Sequence, residues 1–307
     1  VEACIGPSDP WGHRNRIALQ VTEEFGLLVA GLFQRRSRQV IPIQECPVSD
    51  PAGLQVAIAA VDAARRAGFD AWDPRTESGT LRTILTRTTS QGDTAATVVL
   101  RDKNQRDIEE LCSEGFGAIG LAININRGDP QRMLGRHTEF IKGEEFTQED
   151  VAGTKFRLSP AGWFRNSHFT AQAVARTVRE FVDPIPGATV VDLYAGMGFF
   201  ALTLADAVER VIAIEENPRA IADARASIEL NGIRNVELRE GTVEHLLPEI
   251  KEKVYAMVVD PPSDGCGRFI LNVITKDIRP ERLVYVSQNP EVFAEEIAIF
   301  TQRGFNL

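Results

Sequence analysis

The sequence predicts an α+β domain followed by a doubly wound α/β domain, and three observations carry that expectation. Apolar runs and amphipathic stretches alternate regularly after Pro184-Ile185-Pro186-Gly187. A glycine-rich turn joins the first of those runs to the helical stretch behind it. The part before position 158 mixes strand-like and helical runs without that regular succession. The expected boundaries are 1–157 for the first domain and 158–307 for the second.

Size and composition allow this. The chain has 307 residues, 43% hydrophobic and 25% charged, enough for two cores in a globular protein. No apolar run approaches the roughly 20 residues that span a bilayer. Val1-Glu2-Ala3-Cys4 lacks a signal-peptide layout and an initiator Met, so the expectation is a cytoplasmic chain that starts partway into a longer protein. A net charge of −9 argues against indiscriminate polyanion binding but allows a local basic groove. Cys4, Cys46, Cys112 and Cys266 form no CxxC pair and read as reduced thiols, with no metal site expected.

In the first part, Ile17–Val21, Leu27–Ala30 and Val98–Leu100 read as strands. Pro51–Ala67 and Lys103–Glu114 space their apolar residues as helices do. In the second, strands are expected at Thr189–Leu193, Val211–Ile214, Val236–Leu238, Tyr255–Val259 and Leu283–Val286. Helices are expected from the glycine turn to Ala207, over Arg219–Leu230, after Leu238, and over Glu291–Arg303. Such a sheet binds ligands at the carboxyl ends of its strands.

Three of those ends carry acids. Asp192-Leu193-Tyr194-Ala195-Gly196-Met197-Gly198 closes the first strand, and its two glycines let the backbone approach a ligand. The second strand ends at Glu215, placed to bind two ribose hydroxyls. The fourth ends in Asp260-Pro261-Pro262, whose prolines hold an acid and backbone carbonyls where the reacting group would sit. A dinucleotide oxidoreductase would show G-x-G-x-x-G, but after Gly198 the chain runs Phe199-Phe200-Ala201-Leu202, with no third glycine. Asp192, Glu215 and Asp260 together point to a methyl-donor nucleotide, S-adenosylmethionine.

The chain as a whole resembles the RNA (uracil-5)-methyltransferases. The resemblance rests on Trp11–Arg16, Arg35–Arg38, Glu45-Cys46-Pro47, Leu81-Arg82 and Asn124–Arg127, then Asp192–Gly198, Asp260–Pro262 and Val284–Pro290. It implies a central α/β domain followed by a class I, Rossmann-like methyltransferase domain acting on rRNA or tRNA. It also implies that Tyr194, Glu215 and Asp260 hold S-adenosylmethionine, with Phe199 and Arg165 lining that site. In this family a cysteine thiolate adds to C6 of uracil, C5 takes the methyl group, and a base removes the C5 proton.

The chain departs from the pattern on the substrate side. Ser-Cys-Asn-Pro reads Ser287-Gln288-Asn289-Pro290, and glutamine forms no adduct. Trp163–Ser167 replaces Phe-Phe-Gln-x-Asn, Ser263 replaces an arginine, and the family's glutamate base falls beyond position 307. Cys266, beside Asp264, reads as a loop thiol without a catalytic role. Cys46 sits where some relatives place the fourth ligand of an iron–sulfur cluster, and alone it holds none. A closing sixth and seventh strand would only begin at Phe305.

Arg14, Arg16, Arg35, Arg36 and Arg38 form two basic clusters suited to RNA phosphates, and Arg82, Arg87 and Arg127 extend them. Trp163 and Phe164 either stack a base or seal a domain. Three functions compete. The first is an RNA methyltransferase; the second methylates another atom, although Ser263 lacks the aromatic ring that adenine amine methylation uses. The third is a non-catalytic relative that binds RNA, with or without the donor, on account of Gln288 and the altered Trp163–Ser167 stretch.

Overall fold

Apolar alternation builds the first sheet. The computed structural model describes residues 3–114, 116–128 and 132–307. Its contacts divide the chain into two compact units, 1–149 with 158–171, and 150–157 with 172–307. The boundary expected at 157 is therefore crossed by two short segments, because contacts in space rather than the order along the chain decide which core a segment joins.

In the first unit, β1 (Arg16–Glu24) buries Ile17, Leu19 and Val21 and turns the intervening side chains to the other face. It pairs antiparallel with β2 (Leu27–Phe33), which pairs with β3 (Val40–Pro42). Helix α1 (Pro51–Arg66) starts where Asp50 accepts a hydrogen bond from the Gly53 amide (3.0 Å) and Pro51 presets the first turn. It buries Leu54, Ala57, Ala60, Val61 and Ala64 against the sheet. β4 (Leu81–Thr88), β5 (Thr94–Leu100), α2 (Gln105–Glu114), β6 (Gly120–Ile125) and β7 (His137–Gly143) follow. The sheet order is β3-β2-β1-β4-β5-β6-β7, with β5 and β6 parallel and joined through α2. The strands and helices expected here form, and the sequence reading missed β3, β4, β6 and β7.

β8 (Thr147–Val151) and β9 (Thr154–Leu158) make a separate two-stranded ribbon, and α3 (His168–Val182) follows. Then come β10 (Thr189–Leu193), α4 (Phe199–Leu204), β11 (Arg210–Glu215), α5 (Pro218–Asn231) and β12 (Val236–Glu240). α6 (Val243–Leu246), β13 (Ala256–Val259), α7 (Gly267–Asn272), β14 (Arg282–Tyr285) and α8 (Pro290–Gln302) complete the second unit. Its sheet, β12-β11-β10-β13-β14, is parallel throughout. β10, β11 and β13 are apolar on both faces, as a sheet covered on both sides requires. The order reverses between β10 and β13, so their carboxyl ends frame a crevice. Among the described residues no helix is long and apolar enough to cross a membrane.

Candidate methyl-donor site

The crevice is built by the turn after β10. Asp192 is fully buried, and its Oδ2 accepts a hydrogen bond from the Ala201 amide (2.8 Å) in the first turns of α4. Asp192, expected to contact the donor, is buried here and fixes the turn from below. Tyr194, Gly196 and Gly198 all take positive φ (60°, 57° and 79°), a conformation that costs a tyrosine more than a glycine. A Cβ on Gly198 would come within 2.5 Å of Leu202 Cδ1, which would have to move, but the positive φ is what requires glycine there. A Cβ on Gly196 would meet nothing within 4 Å, which leaves open space over the turn.

Glu215 ends β11 beside that space. Its Oε2 accepts from the Gly196 amide (2.8 Å) and its Oε1 from the Asn217 amide (2.7 Å). The carboxylate is held in one orientation, and each oxygen retains a lone pair for a ribose hydroxyl. Asp260 follows β13, whose Val259 lies opposite Leu193 of β10, so both acids stand at one sheet edge. These residues fit S-adenosylmethionine: an oriented carboxylate for the ribose, an open glycine turn for the adenosyl and amino-acid parts, and a second acid near the reacting end.

Two expected lining residues behave differently. Phe199 is 4% exposed, stacked on Phe156 with centroids 5.6 Å apart and set edge-on to Phe200 at 5.0 Å. It supports the turn from behind, because α4 turns that face into the core. Arg165 belongs to the first unit, where it lies 5.8 Å from the Trp163 ring. Phe164 is buried and Trp163 exposed, which separates the two roles left open for that pair.

The substrate-side residues gather at the ends of β13 and β14. Gln288 is exposed on the turn after β14. Asn289 caps α8 through Oδ1, and its Nδ2 donates to the Ser263 carbonyl (3.0 Å), tying this turn to the loop after Asp260. Cys266 is buried, and burial followed by the Glu296 charge pushes its thiol up to about 12. It is no relocated nucleophile, because a thiolate there would be desolvated beside a carboxylate. Glu296 accepts from the Cys266 amide (2.9 Å), the Gly267 amide (3.0 Å) and the Tyr285 hydroxyl (2.6 Å). The phenols of Tyr194 and Tyr285 are raised, in each case first by burial. Sequence reading missed Glu296, since an acid within a helix looks like a solvated face until the packing is known.

Elsewhere, Arg14, Arg35, Arg36 and Arg38 are exposed and Arg16 half-buried. Cys46 is half-buried; burial raises its thiol, but hydrogen bonds with Ser49 and Val48 and the Arg14 charge leave it net lowered. Among the described residues no cluster of three or more His, Cys, Asp or Glu could hold a metal. A cavity of about 510 Å³ opens at the amino-terminal ends of β10, β11 and β12, lined by Arg210, Arg234 and Glu237. It lies at the sheet edge away from the glycine turn, and Arg210 there is ion-paired to Glu237 and Glu252.

The family described as TRM5/TYW2 methyltransferase domain matches residues 152–276. An uncharacterised RNA methyltransferase of Gloeobacter violaceus is 31% identical over 313 residues, covering 100% of this chain and 68% of that protein. Another from Halalkalibacterium halodurans is 28% identical over 313 residues, covering 99% and 68%. Among solved structures, Pyrococcus abyssi tRNA (uracil-54, C5)-methyltransferase in complex with S-adenosyl-L-homocysteine aligns with a TM-score of 0.78. The identity is 23%, over 95% of this chain and 70% of that one, a likeness of fold. With that match to the Gloeobacter protein along its whole length, the chain belongs to the RNA methyltransferases, enzymes that take their methyl group from S-adenosylmethionine.

Proposed function

We propose that this protein methylates RNA at a nitrogen or oxygen atom, by direct transfer and without a cysteine adduct. The observation that carries this is the pairing of a donor frame held in place by Glu215 with an exposed Gln288 where the family nucleophile would stand. When bound, S-adenosylmethionine supplies an electrophilic methyl group. Uracil C5 is a poor nucleophile and needs covalent activation. Gln288 offers no thiolate, and Cys266 is buried with a raised thiol. A ring nitrogen, exocyclic amine or ribose hydroxyl needs none, because its lone pair attacks the methyl carbon directly. Asp260, at the edge of the same crevice, is the acid placed to take the proton released. Glu215 orients the donor, and Pro261 and Pro262 restrict the backbone around Asp260.

The fold likeness to the Pyrococcus tRNA (uracil-54, C5)-methyltransferase supports an RNA substrate, with tRNA or rRNA as the class. It also makes C5 of uridine the main competing target. The test is transfer of a labelled methyl group to bulk tRNA and rRNA, followed by digestion to nucleosides. Label in a nucleoside other than 5-methyluridine, with no covalent complex on 5-fluorouridine RNA, is the expected result. Label in 5-methyluridine together with a trapped complex would overturn the proposal.

A further inference from the structure

On the face of the first sheet away from α1, β1 and β4 set Arg16 directly opposite Arg87. Directly opposed side chains leave an antiparallel pair on the same side, and like charges there repel. Their neighbours on that face, Leu85 and Ala95, supply no acid between them. Arg87 is only 9% exposed, and its guanidinium reaches two carbonyls at long range, Gly162 at 3.3 Å and Arg165 at 3.4 Å. The buried Nε of Arg16 has no hydrogen-bond partner.

The charges facing the pair do not neutralise it. Arg14 adds to the positive side. Glu149 acts on Arg87 but is already engaged by His168 (3.0 Å) and by the Ser90 amide (3.1 Å). Glu145 is exposed, where solvent screens it. Burial, then repulsion from Arg16, pushes the Arg87 guanidinium down to about 9, and burial followed by Arg14 lowers Arg16. Arginine otherwise holds its proton far above neutrality.

The pair opens on a narrow recess whose other walls include Thr97, Thr147, Ala161 and, at its exposed side, Glu145. No aromatic ring lines it, so nothing there would stack a base. Two converging guanidinium groups and threonine hydroxyls suit the oxygens of a tetrahedral anion. The site is also continuous with exposed positive charge. Gln20 lies opposite Gly31, so the turn after β2 leaves the sheet at the edge where β1 begins. That turn carries Arg35, Arg36 and Arg38, and Arg14 precedes β1.

We propose that Arg16 and Arg87 form a buried anion site that seats one backbone phosphate of an RNA strand, at the inner end of a track formed by Arg14, Arg35, Arg36 and Arg38. The inference rests on RNA being the substrate, but not on which atom is methylated. Glu149, the acid that acts on Arg87, is shared with His168 and the Ser90 amide, so the two like charges are only partly compensated, a strain that a phosphate relieves. Replacing Arg87 by an apolar side chain of similar length should therefore leave the free protein at least as stable while weakening RNA binding.

The experiment uses the full chain with Arg16→Met and Arg87→Met. Thermal unfolding is measured with inorganic phosphate against sodium chloride at equal ionic strength. Phosphate should raise the wild-type midpoint by a few degrees more than chloride does, and neither variant should show that excess. Binding of a labelled single-stranded RNA of mixed sequence is then followed across a salt series. Each substitution should weaken binding about tenfold and flatten the slope of log K against log salt by about 0.7, one strand phosphate. Affinity for S-adenosylmethionine by calorimetry should stay at the wild-type value, reporting an intact fold.

Equal phosphate stabilisation of wild type and variants would remove the anion site. Phosphate stabilisation lost in the variants with an unchanged RNA slope would leave a site for free phosphate only, and overturn the strand assignment. So would a wild type that fails to bind the RNA. A flattened slope in a protein that transfers no methyl group would leave this inference standing while the proposed reaction fell.

Discussion

Glu215 commits one carboxylate oxygen to the Gly196 amide and the other to the Asn217 amide, so the side chain proposed to hold the donor ribose is also part of the turn that shapes the site. Glu215→Ala should lower donor affinity on the order of a hundredfold. That corresponds to about 1.5–3 kcal/mol for lost hydrogen bonds to a charged group. Titration calorimetry with S-adenosylmethionine checks this, and an unchanged affinity would remove Glu215 from the site. Cys266 makes a contrasting case. Burial and Glu296 hold it protonated, so a thiol reagent at pH 8 should label exposed Cys4 quickly and Cys266 only on unfolding. Cys266→Ser should transfer methyl groups at the wild-type rate.

At the scale of elements, α8 is fastened at two points of unequal strength. Glu296 collects two amides and the Tyr285 hydroxyl, and its removal would leave the buried Cys266 amide and two half-buried donors without their acceptor. Glu296→Ala should destabilise the second unit by about 3 kcal/mol or more. Asn289→Ala, which removes a cap near solvent, should cost about 1 kcal/mol. Urea unfolding of the two variants should separate them, and equal losses would mean that the Glu296 network is not the stronger fastening. Glu149 plays a comparable part in the first unit. Burial raises its carboxyl, but hydrogen bonds from His168 and Ser90 and the His168 charge outweigh this and hold it below the ordinary value. A depressed carboxylate adds stability at pH above its unfolded value, about 4.3, and loses it as pH falls through the folded one. The stability difference between wild type and Glu149→Gln should therefore be full at neutral pH and shrink below about pH 4.

At the scale of the whole molecule, the second unit is discontinuous along the chain. Residues 150–157 belong to it although the first unit's 158–171 follow. The Lys155 amide donates to Asn231 Oδ1 (2.9 Å), Asn231 Nδ2 donates to the Lys155 carbonyl (2.6 Å), and Phe156 stacks on Phe199 behind the glycine turn. A fragment 172–307 loses these contacts and should melt well below the intact chain and bind donor weakly. Adding residues 150–157 as a separate peptide should raise its melting point. A fragment 172–307 as stable as the intact chain, and indifferent to the peptide, would show that the ribbon is not part of this core.

The sequence by itself determined the doubly wound sheet, the succession of its strands along the chain, and the three acids at its strand ends. Those features depend on local rules: apolar runs for strands buried on both faces, Asn217-Pro218 and Asn289-Pro290 as helix starts, and glycine where φ is positive. It also placed Gln288 where the resemblance expects a cysteine. Only the tertiary structure decided which of those residues face a ligand. It turned Asp192 and Phe199 inward, gave Glu296 three partners from distant segments, and set Arg16 against Arg87 across two strands. Their local sequence does not distinguish an arginine in solvent from one buried beside another, because burial and charge pairing depend on strand register and on what packs over the sheet.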